Sequence, residues 1–387
     1  MAKAAQKALG PIRRSFAPWQ DPAAVPLIRF ENVIKRFGDF TAVDDVSIDI
    51  HQREFFSLLG PSGCGKTTLM RMLAGFEEPT SGRITLAGKD LAGTPPYRRP
   101  VNMMFQSSAL VPHMTVEQNI AFGLKQDNTP KPEMEARVAE MLRLVKLETF
   151  AKRKPHQLSG GQRQRVALAR SLAKKPKVLL LDEPLGALDK KLREETQFEL
   201  MDLQQDLGLT FLIVTHDQEE AMTVSDRIAV MNHGKLVQVA TPGEIYEQPN
   251  SRYVADFIGD INLFEGKVEQ AQGGVVTLKS GETGCGFAAA SEAELSPGAE
   301  VALAIRPEKM RISLDQPPPD ATNVMSGEVW DIAYLGDWTI LLVKVDGTEK
   351  IVRVSRANMT RSEARPIAWD DKVFVWFAPD AGILLTS

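Results

Sequence analysis

A short, largely apolar run, Phe55-Phe56-Ser57-Leu58-Leu59, ends abruptly in Gly60-Pro61-Ser62-Gly63-Cys64-Gly65-Lys66-Thr67 and continues into Thr68-Leu69-Met70-Arg71-Met72-Leu73. No other feature constrains the fold as much. The first run has the form of a strand buried on both faces. The last is a helical stretch, and the eight residues between them fit the GxxxxGK[ST] phosphate loop. Glycines let backbone N–H groups turn inward around a phosphate, and the helix N-terminus adds partial positive charge. In such a loop Lys66 reaches the β- and γ-oxygens of a nucleotide and the Thr67 hydroxyl holds Mg²⁺.

The surrounding segments agree with that unit. Val46, Ile48 and Ile50 alternate with polar residues, as a half-buried strand requires, while Val178-Leu179-Leu180-Leu181 and Phe211-Leu212-Ile213-Val214 are continuous apolar runs. Between the runs lie helical stretches such as 134–147, where Met134, Val138, Met141, Leu142 and Val145 form one apolar stripe. Buried strands alternating with helices predict a parallel sheet covered on both faces. Beyond Gly259 the pattern changes to short alternating strands at 264–268, 275–279, 301–305, 327–332, 339–345 and 372–377, with Asp346-Gly347 as a hairpin turn and Pro317-Pro318-Pro319 as a loop. This half reads as a small all-β barrel.

A length of 387 residues suits two domains. The expected division is an N-terminal extension over 1–26 without fixed structure, an α/β domain over 27–259 and a β-rich domain over 260–387. Lys3, Lys7, Arg13 and Arg14 precede no apolar segment of the secretory kind. No window approaches the 18 or so apolar residues of a membrane-spanning helix. A net charge of −4 leaves no footprint for nucleic acid. Cys64 and Cys285, far apart in the chain, form no metal or disulfide pattern.

Two further motifs carry chemistry. Val178 to Glu183 is an apolar strand ending in two acids, in which Asp182 is placed to bind Mg²⁺ and Glu183 to polarise the attacking water. Leu158-Ser159-Gly160-Gly161-Gln162 is a Ser-Gly-Gly turn opening a helix over 162–173, a second anion-binding helix N-terminus. An N-cap at Ser159 accounts for the serine but not for two successive glycines.

At this point the chain resembles the nucleotide-binding subunits of ABC transporters, whose signature is LSGGQ. In that family two subunits pair head to tail, each ATP held between one phosphate loop and the partner's signature. The resemblance implies a RecA-like parallel sheet with antiparallel β and helical subdomains, and carries roles over residue by residue. Gln106 matches the Q-loop glutamine that contacts Mg²⁺ and water, and His216 the switch histidine at the γ-phosphate. Asp189 closes the D-loop Gly186-Ala187-Leu188-Asp189, with glycine where serine is common, and Phe37 sits where an aromatic ring stacks on adenine. Nucleotide contacts therefore extend over Phe37, Gly60 to Thr68, Ser159 to Gln162 and Asp189. The implied metal set is Thr67, Gln106 and Asp182.

The C-terminal half, with Ala304-Ile305-Arg306-Pro307-Glu308 near its middle, is similar to the transport-associated OB-like (TOBE) domain of import ATPases. Residues 99–106, 112–120, 150–156 and 333–337 look most like those of bacterial polyamine importers, putrescine systems especially. Importers of other small solutes share many of these features. The resemblance implies a homodimer at the cytoplasmic face of the inner membrane, two transmembrane permease subunits, and indirectly a periplasmic solute-binding protein. Non-transport ABC ATPases would usually show a coiled-coil insertion or tandem cassettes, and this chain shows neither. A purely structural relative would be expected to lose the acid after Asp182, yet Glu183 is present. Four of the five tryptophans, Trp330, Trp338, Trp369 and Trp376, fall in the β-rich half. Barrel core or subunit contact is their expected role, ahead of an aromatic cage for a cationic ligand.

Overall fold

The computed structural model describes residues 16–105, 109–186, 189–361 and 365–386. The chain forms two compact units, Met1–Ile245 and Tyr246–Ser387.

The first unit opens with strands β1 (Ile28–Phe37) and β2 (Phe40–Ile50), then β3 (Phe55–Leu59), helix α1 (Lys66–Ala74), β4 (Ser81–Leu86), β5 (Lys89–Asp90) and β6 (Val101–Met104). Helices α2 (Val116–Gln126), α3 (Lys131–Leu144) and α4 (Gly160–Ala173) follow, then β7 (Val178–Asp182), α5 (Lys190–Leu207), β8 (Thr210–Thr215), α6 (Gln218–Val224), β9 (Arg227–Asn232) and β10 (Lys235–Ala240). Among the described residues one sheet has the order β10-β9-β3-β8-β7-β6. The strands from β9 to β6 are parallel and β10 is an antiparallel edge. A second, antiparallel sheet has the order β2-β1-β4-β5.

Burial on both faces explains the unbroken apolar strands. Leu179, Leu181, Phe211 and Ile213 pack into a core with α2, α3, α4 and α5. Their neighbours Val178, Leu180, Leu212 and Val214 point the other way, into a core shared with α1, β1 and β2. Each such side chain contributes roughly 1.5–3 kcal/mol by leaving water.

Arg99, just before β6, is buried with no acid hydrogen-bonded to it among the described residues. Its guanidinium donates to Met72 O at 2.7 Å and Leu73 O at 3.0 Å in the last turn of α1, and to Leu91 O and Thr94 O. The partial negative charge of that helix end favours a cation. The fit is close, since a Cβ on Gly75 would lie 2.7 Å from Arg99 Nε. Replacing Arg99 with leucine should strand these carbonyls and cost about 3 kcal/mol or more. Thermal melting should show a markedly lower midpoint, partly restored by lysine. A midpoint equal to wild type would show that the clamp carries no stability.

Of the extension over 16–26, expected to lack fixed structure, Pro18–Gln20 instead form a 3₁₀ turn. Trp19 lies against the Arg227 guanidinium, 4.8 Å from its ring centre, and Arg227 is paired to the fully buried Glu54. The ring over this cation supplies one cation–π contact between the segment and the domain.

The second unit contains helix α8 (Arg252–Phe257), the end of α7 (Pro242–Glu247), and strands β11 (Asn262–Gln272), β12 (Val275–Ser280), β13 (Gly286–Ala290), β14 (Glu300–Ile305), β15 (Arg311–Ser313), β16 (Met325–Tyr334), β17 (Trp338–Val345), β18 (Ile351–Ala357), β19 (Lys372–Trp376) and β20 (Gly382–Leu385). They form two antiparallel sheets, β13-β12-β11-β14-β20 and β15-β19-β16-β17-β18, over one core centred on Phe264, Phe287 and Phe377. The tryptophans do not form that core. Trp330, Trp338 and Trp369 are exposed, because their positions fall on the outward phase of the alternation or in a loop.

The second unit begins at Tyr246, and Arg306 is among the residues that hold 246–260 to it. Its guanidinium stacks on the Tyr246 ring and donates to the carbonyls of Tyr246, Ala255 and Asp260. Tyr246 in turn donates its hydroxyl to Glu308 at 2.7 Å. These contacts tie residues 246–260 to the β-rich unit.

Candidate functional site

The register of the parallel sheet gathers the predicted residues. Leu59 pairs with Thr215, and Asp182 with Val214. The loop after β3, the two acids at the end of β7 and His216 after β8 therefore emerge side by side at the carboxyl edge of the strands. That edge is where ligands of parallel α/β sheets bind. Gln106, Ala187 and Leu188 lie outside the described residues.

Two glycines of the loop are sterically required. A Cβ on Gly60 would sit 2.3 Å from Met231 O, and one on Gly65, at φ +102°, would sit 2.2 Å from Ala42 O. At Gly63, φ +80°, the space is open. The loop is thus pressed onto β2 and β9 on one side and left accessible on the other, where Pro61, Ser62 and Gly63 are exposed. Cys64 is buried beneath it. Lys66 folds back over the loop, donating to Gly60 O at 2.7 Å and Pro61 O at 2.8 Å. Its ammonium meets only neutral acceptors among the described residues, these carbonyls and Cys64 Sγ at 3.7 Å, so an anion in the loop offers it a stronger partner. Thr68 continues the first turn of α1 and is half-buried.

Thr67 Oγ1 donates to Asp182 Oδ1 at 3.3 Å. Burial raises the Asp182 carboxyl above its ordinary range, and the Thr67 hydroxyl works against that rise. A hydroxyl and a carboxylate held together in a half-buried place are the hard oxygen donors that suit Mg²⁺. Glu183, at φ +46°, takes a left-handed conformation that is strained for a non-glycine residue. Its N–H donates to Val214 O at 2.9 Å, and its Oε1 lies 3.1 Å from His216 Nδ1. The turn therefore aims the carboxylate at the histidine of the adjacent strand.

The Ser-Gly-Gly segment differs from expectation in one respect. The helix begins at Gly160, not Gln162, because Ser159 and Gln162 form a reciprocal capping box. Gly161 is explained within the chain, since a Cβ there would press on Leu192 at 3.3 Å. Gly160 is not: it is exposed, with nothing within 4 Å of its would-be Cβ. Gln164, further along α4, donates to Pro184 O at 2.7 Å and braces the turn after Glu183. Asp189 caps α5 by accepting from Leu192 N at 3.0 Å. Phe37 is half-exposed at the β1–β2 hairpin, with the Lys35 ammonium 4.7 Å from its ring centre. Its partner across the hairpin, Phe40, is also exposed and went unnoticed in the sequence.

A glycine cradle at a helix start accepts a polyphosphate, and the acid–histidine contact on the next strands suits removal of its terminal group by water. With the capped Ser-Gly-Gly helix, these features define the class as ABC-type ATPase. Comparison with known proteins carries this to the family. Residues 43–186 match the family model described as ABC transporter, and residues 303–385 the TOBE domain. The putrescine transport ATP-binding protein PotG of Escherichia coli K12 is 52% identical over 364 residues, covering 94% of this chain and 96% of that protein. The spermidine/putrescine import ATP-binding proteins PotA of Rubrobacter xylanophilus and PotA 2 of Pseudomonas aeruginosa are 52% and 49% identical, over 89% and 94% of this chain and 91% and 99% of theirs. Among solved structures, cbiO1 of Clostridium perfringens, part of the ABC transporter complex cbiONQ, matches with a TM-score of 0.54 at 30% identity. That match covers 57% of this chain and 90% of the other. The chain belongs to the family of ABC transporter ATP-binding proteins, and it binds and hydrolyses ATP in the service of transport.

Proposed function

We propose that the chain is the motor of a bacterial polyamine importer, moving putrescine in preference to spermidine. The observation that carries the polyamine reading is the similarity to PotG and PotA, which runs through both units instead of stopping at the ATPase; PotG is the putrescine protein among them. The motor works as a homodimer at the cytoplasmic face of the inner membrane, against two permease subunits fed by a periplasmic binding protein. No helix among the described residues is long and apolar enough to cross a membrane, which fits a subunit held there by partners. Uptake of labelled putrescine and spermidine by a strain lacking this gene tests the cargo. Loss of putrescine uptake first is expected, and unchanged uptake of both would reject it.

In this reading ATP lies in the 60–67 loop with Lys66 released from its carbonyls onto the β- and γ-oxygens. Thr67 and Asp182, with Gln106, would hold Mg²⁺, which supplies charge neutralisation at the phosphates. Glu183 draws the proton side of the attacking water and His216 holds the carboxylate in place and meets the γ-phosphate. Phe37 offers its ring to adenine. Gly160 stays open because the γ-phosphate of a second chain's ATP approaches there, with Ser159, Gly161 and Gln162 shaping that helix start and Asp189 lying nearby in the chain. ATP joins the two half-sites, and hydrolysis lets them part, a population shift driven by ligand.

Mixed dimers test the shared site. Chains carrying Lys66→Ala and chains carrying Ser159→Arg should each be inactive alone. On mixing, one site inherits both defects and the other neither, so hydrolysis should reappear. Mixtures as inactive as their parents would reject the head-to-tail arrangement.

A further inference from the structure

Beneath the Glu183–His216 contact lies a second layer of polar groups. Glu220, in the first turn of α6, is 2% exposed, and its Oε1 has no hydrogen-bond partner among the described residues. Facing it are Thr215 at the end of β8, Asp217 before α6, Arg193 in the first turn of α5 and Glu183 after β7. These groups are linked. Asp217 N donates to Thr215 Oγ1 at 3.0 Å, Glu220 N donates to Asp217 Oδ1 at 3.1 Å, and Arg193 Nη1 donates to Asp217 Oδ2 at 2.8 Å. His216 is the residue between Thr215 and Asp217, so both of its neighbours are held by this cluster. Strand β3, also packed on α6, brings no charge, only the Ser57 hydroxyl against Ser225. Glu194, Glu195 and Glu219 are exposed to solvent.

A buried carboxyl oxygen without a partner is costly, and far more so when charged. We propose that Glu220 is a positioning residue for hydrolysis: uncharged, it leaves Arg193 on Asp217 and holds the Thr215–Asp217 turn that presents His216 to Glu183; charged, it competes for Arg193 and loosens the turn. The proposal rests on the reading of Glu183 and His216 as the hydrolytic pair. The energetics agree with the geometry. Burial first, with Asp217 and Glu183 adding to it and Thr215 and Arg193 opposing, pushes the Glu220 carboxyl up to about 7. A carboxyl raised in the folded state binds its proton more tightly there than in the unfolded chain. Its contribution to stability is therefore complete at low pH and is lost as pH rises toward 7. The competent turn itself is lost as Glu220 ionises in the folded protein, around pH 7.

The test is the pH dependence of ATP hydrolysis by the full-length protein and by Glu220→Gln, which is neutral at every pH. The ratio of kcat for Glu220→Gln to kcat for wild type is expected to rise at least ~3-fold from about pH 6 to about pH 8.5, with KM little changed. The gap in melting midpoint should widen in the same direction. Parallel profiles would overturn the proposal. Should the variant not fold, ¹³C titration of wild-type glutamate side chains decides, since a Glu220 already ionised at about pH 6 overturns it equally. Failure of the underlying reading looks different, because in that case Glu183→Gln itself would keep its turnover.

Discussion

Glu183→Gln should bind ATP and scarcely hydrolyse it. The substitution keeps the size of the side chain and the left-handed backbone of the residue, at φ +46°, so the turn against Val214 and the approach to His216 at 3.1 Å remain available. What disappears, on the role proposed for Glu183, is the basicity that would draw a proton from water. Removing a general base of this kind lowers turnover by ~100- to 10,000-fold. Binding should persist, because the 60–67 loop, Lys66 and Thr67 are untouched. With ATP bound and not cleaved, the two half-sites stay joined, so size-exclusion chromatography with ATP should show a lasting dimer. Turnover within a few-fold of wild type would remove Glu183 from the mechanism.

The second large effect is expected at Gly65. Alanine there must place its Cβ 2.2 Å from Ala42 O at a φ of +102°, and the obstacle is backbone that cannot swing aside. Strain and overpacking together should cost about 2–6 kcal/mol. That is a large share of the stability of an ordinary domain, on the order of 5–15 kcal/mol. Relief requires the loop to lift away from β2, carrying Lys66, the next residue, out of place. ATP affinity should fall by roughly 10- to 100-fold, the worth of one or two charge-assisted hydrogen bonds. Gly63→Ala is the control, since its φ of +80° is also positive but no atom lies within 4 Å of the added methyl. It should melt within about 1–2 kcal/mol of wild type. Equal losses at the two positions, by calorimetric ATP titration and thermal melting, would show that Ala42 does not set the loop.

These contrasts reflect what a sequence displays. The unbroken run at Phe55–Leu59, the phosphate loop and the acids closing β7 were legible because each is a local pattern with one geometric solution. Alternation likewise exposed most strands of the second unit. It missed Gly286–Ala290, where only Phe287 is large, and short strands such as Arg311–Ser313 and Gly382–Leu385, which sit at sheet edges. The residues that escaped act across long separations. Arg306 reaches back to Tyr246 and helps hold 246–260 to the second unit. Arg99 reaches Met72, 27 positions away. Glu220 lies in a Gln-Glu-Glu stretch that reads as a solvated helix start, and only the packing of α6 shows that one of its two acids is buried. The two glycines after Ser159 looked alike in sequence, but a Cβ on Gly161 would press on Leu192 of the same chain, while one on Gly160 would meet no described atom within 4 Å.

The backbone at Glu183 has a consequence for how such a chain can be improved. A left-handed glutamate sits roughly 1–2 kcal/mol above the same residue in a relaxed conformation, whereas glycine or asparagine would be at ease there. Stability and turnover therefore pull this one position in opposite directions. A library ranked by heat resistance alone would favour Glu183→Gly, and on the role proposed for Glu183 the sturdiest clones it returned would be those unable to fire. Thermostabilised versions of this ATPase should be sought with residue 183 held constant.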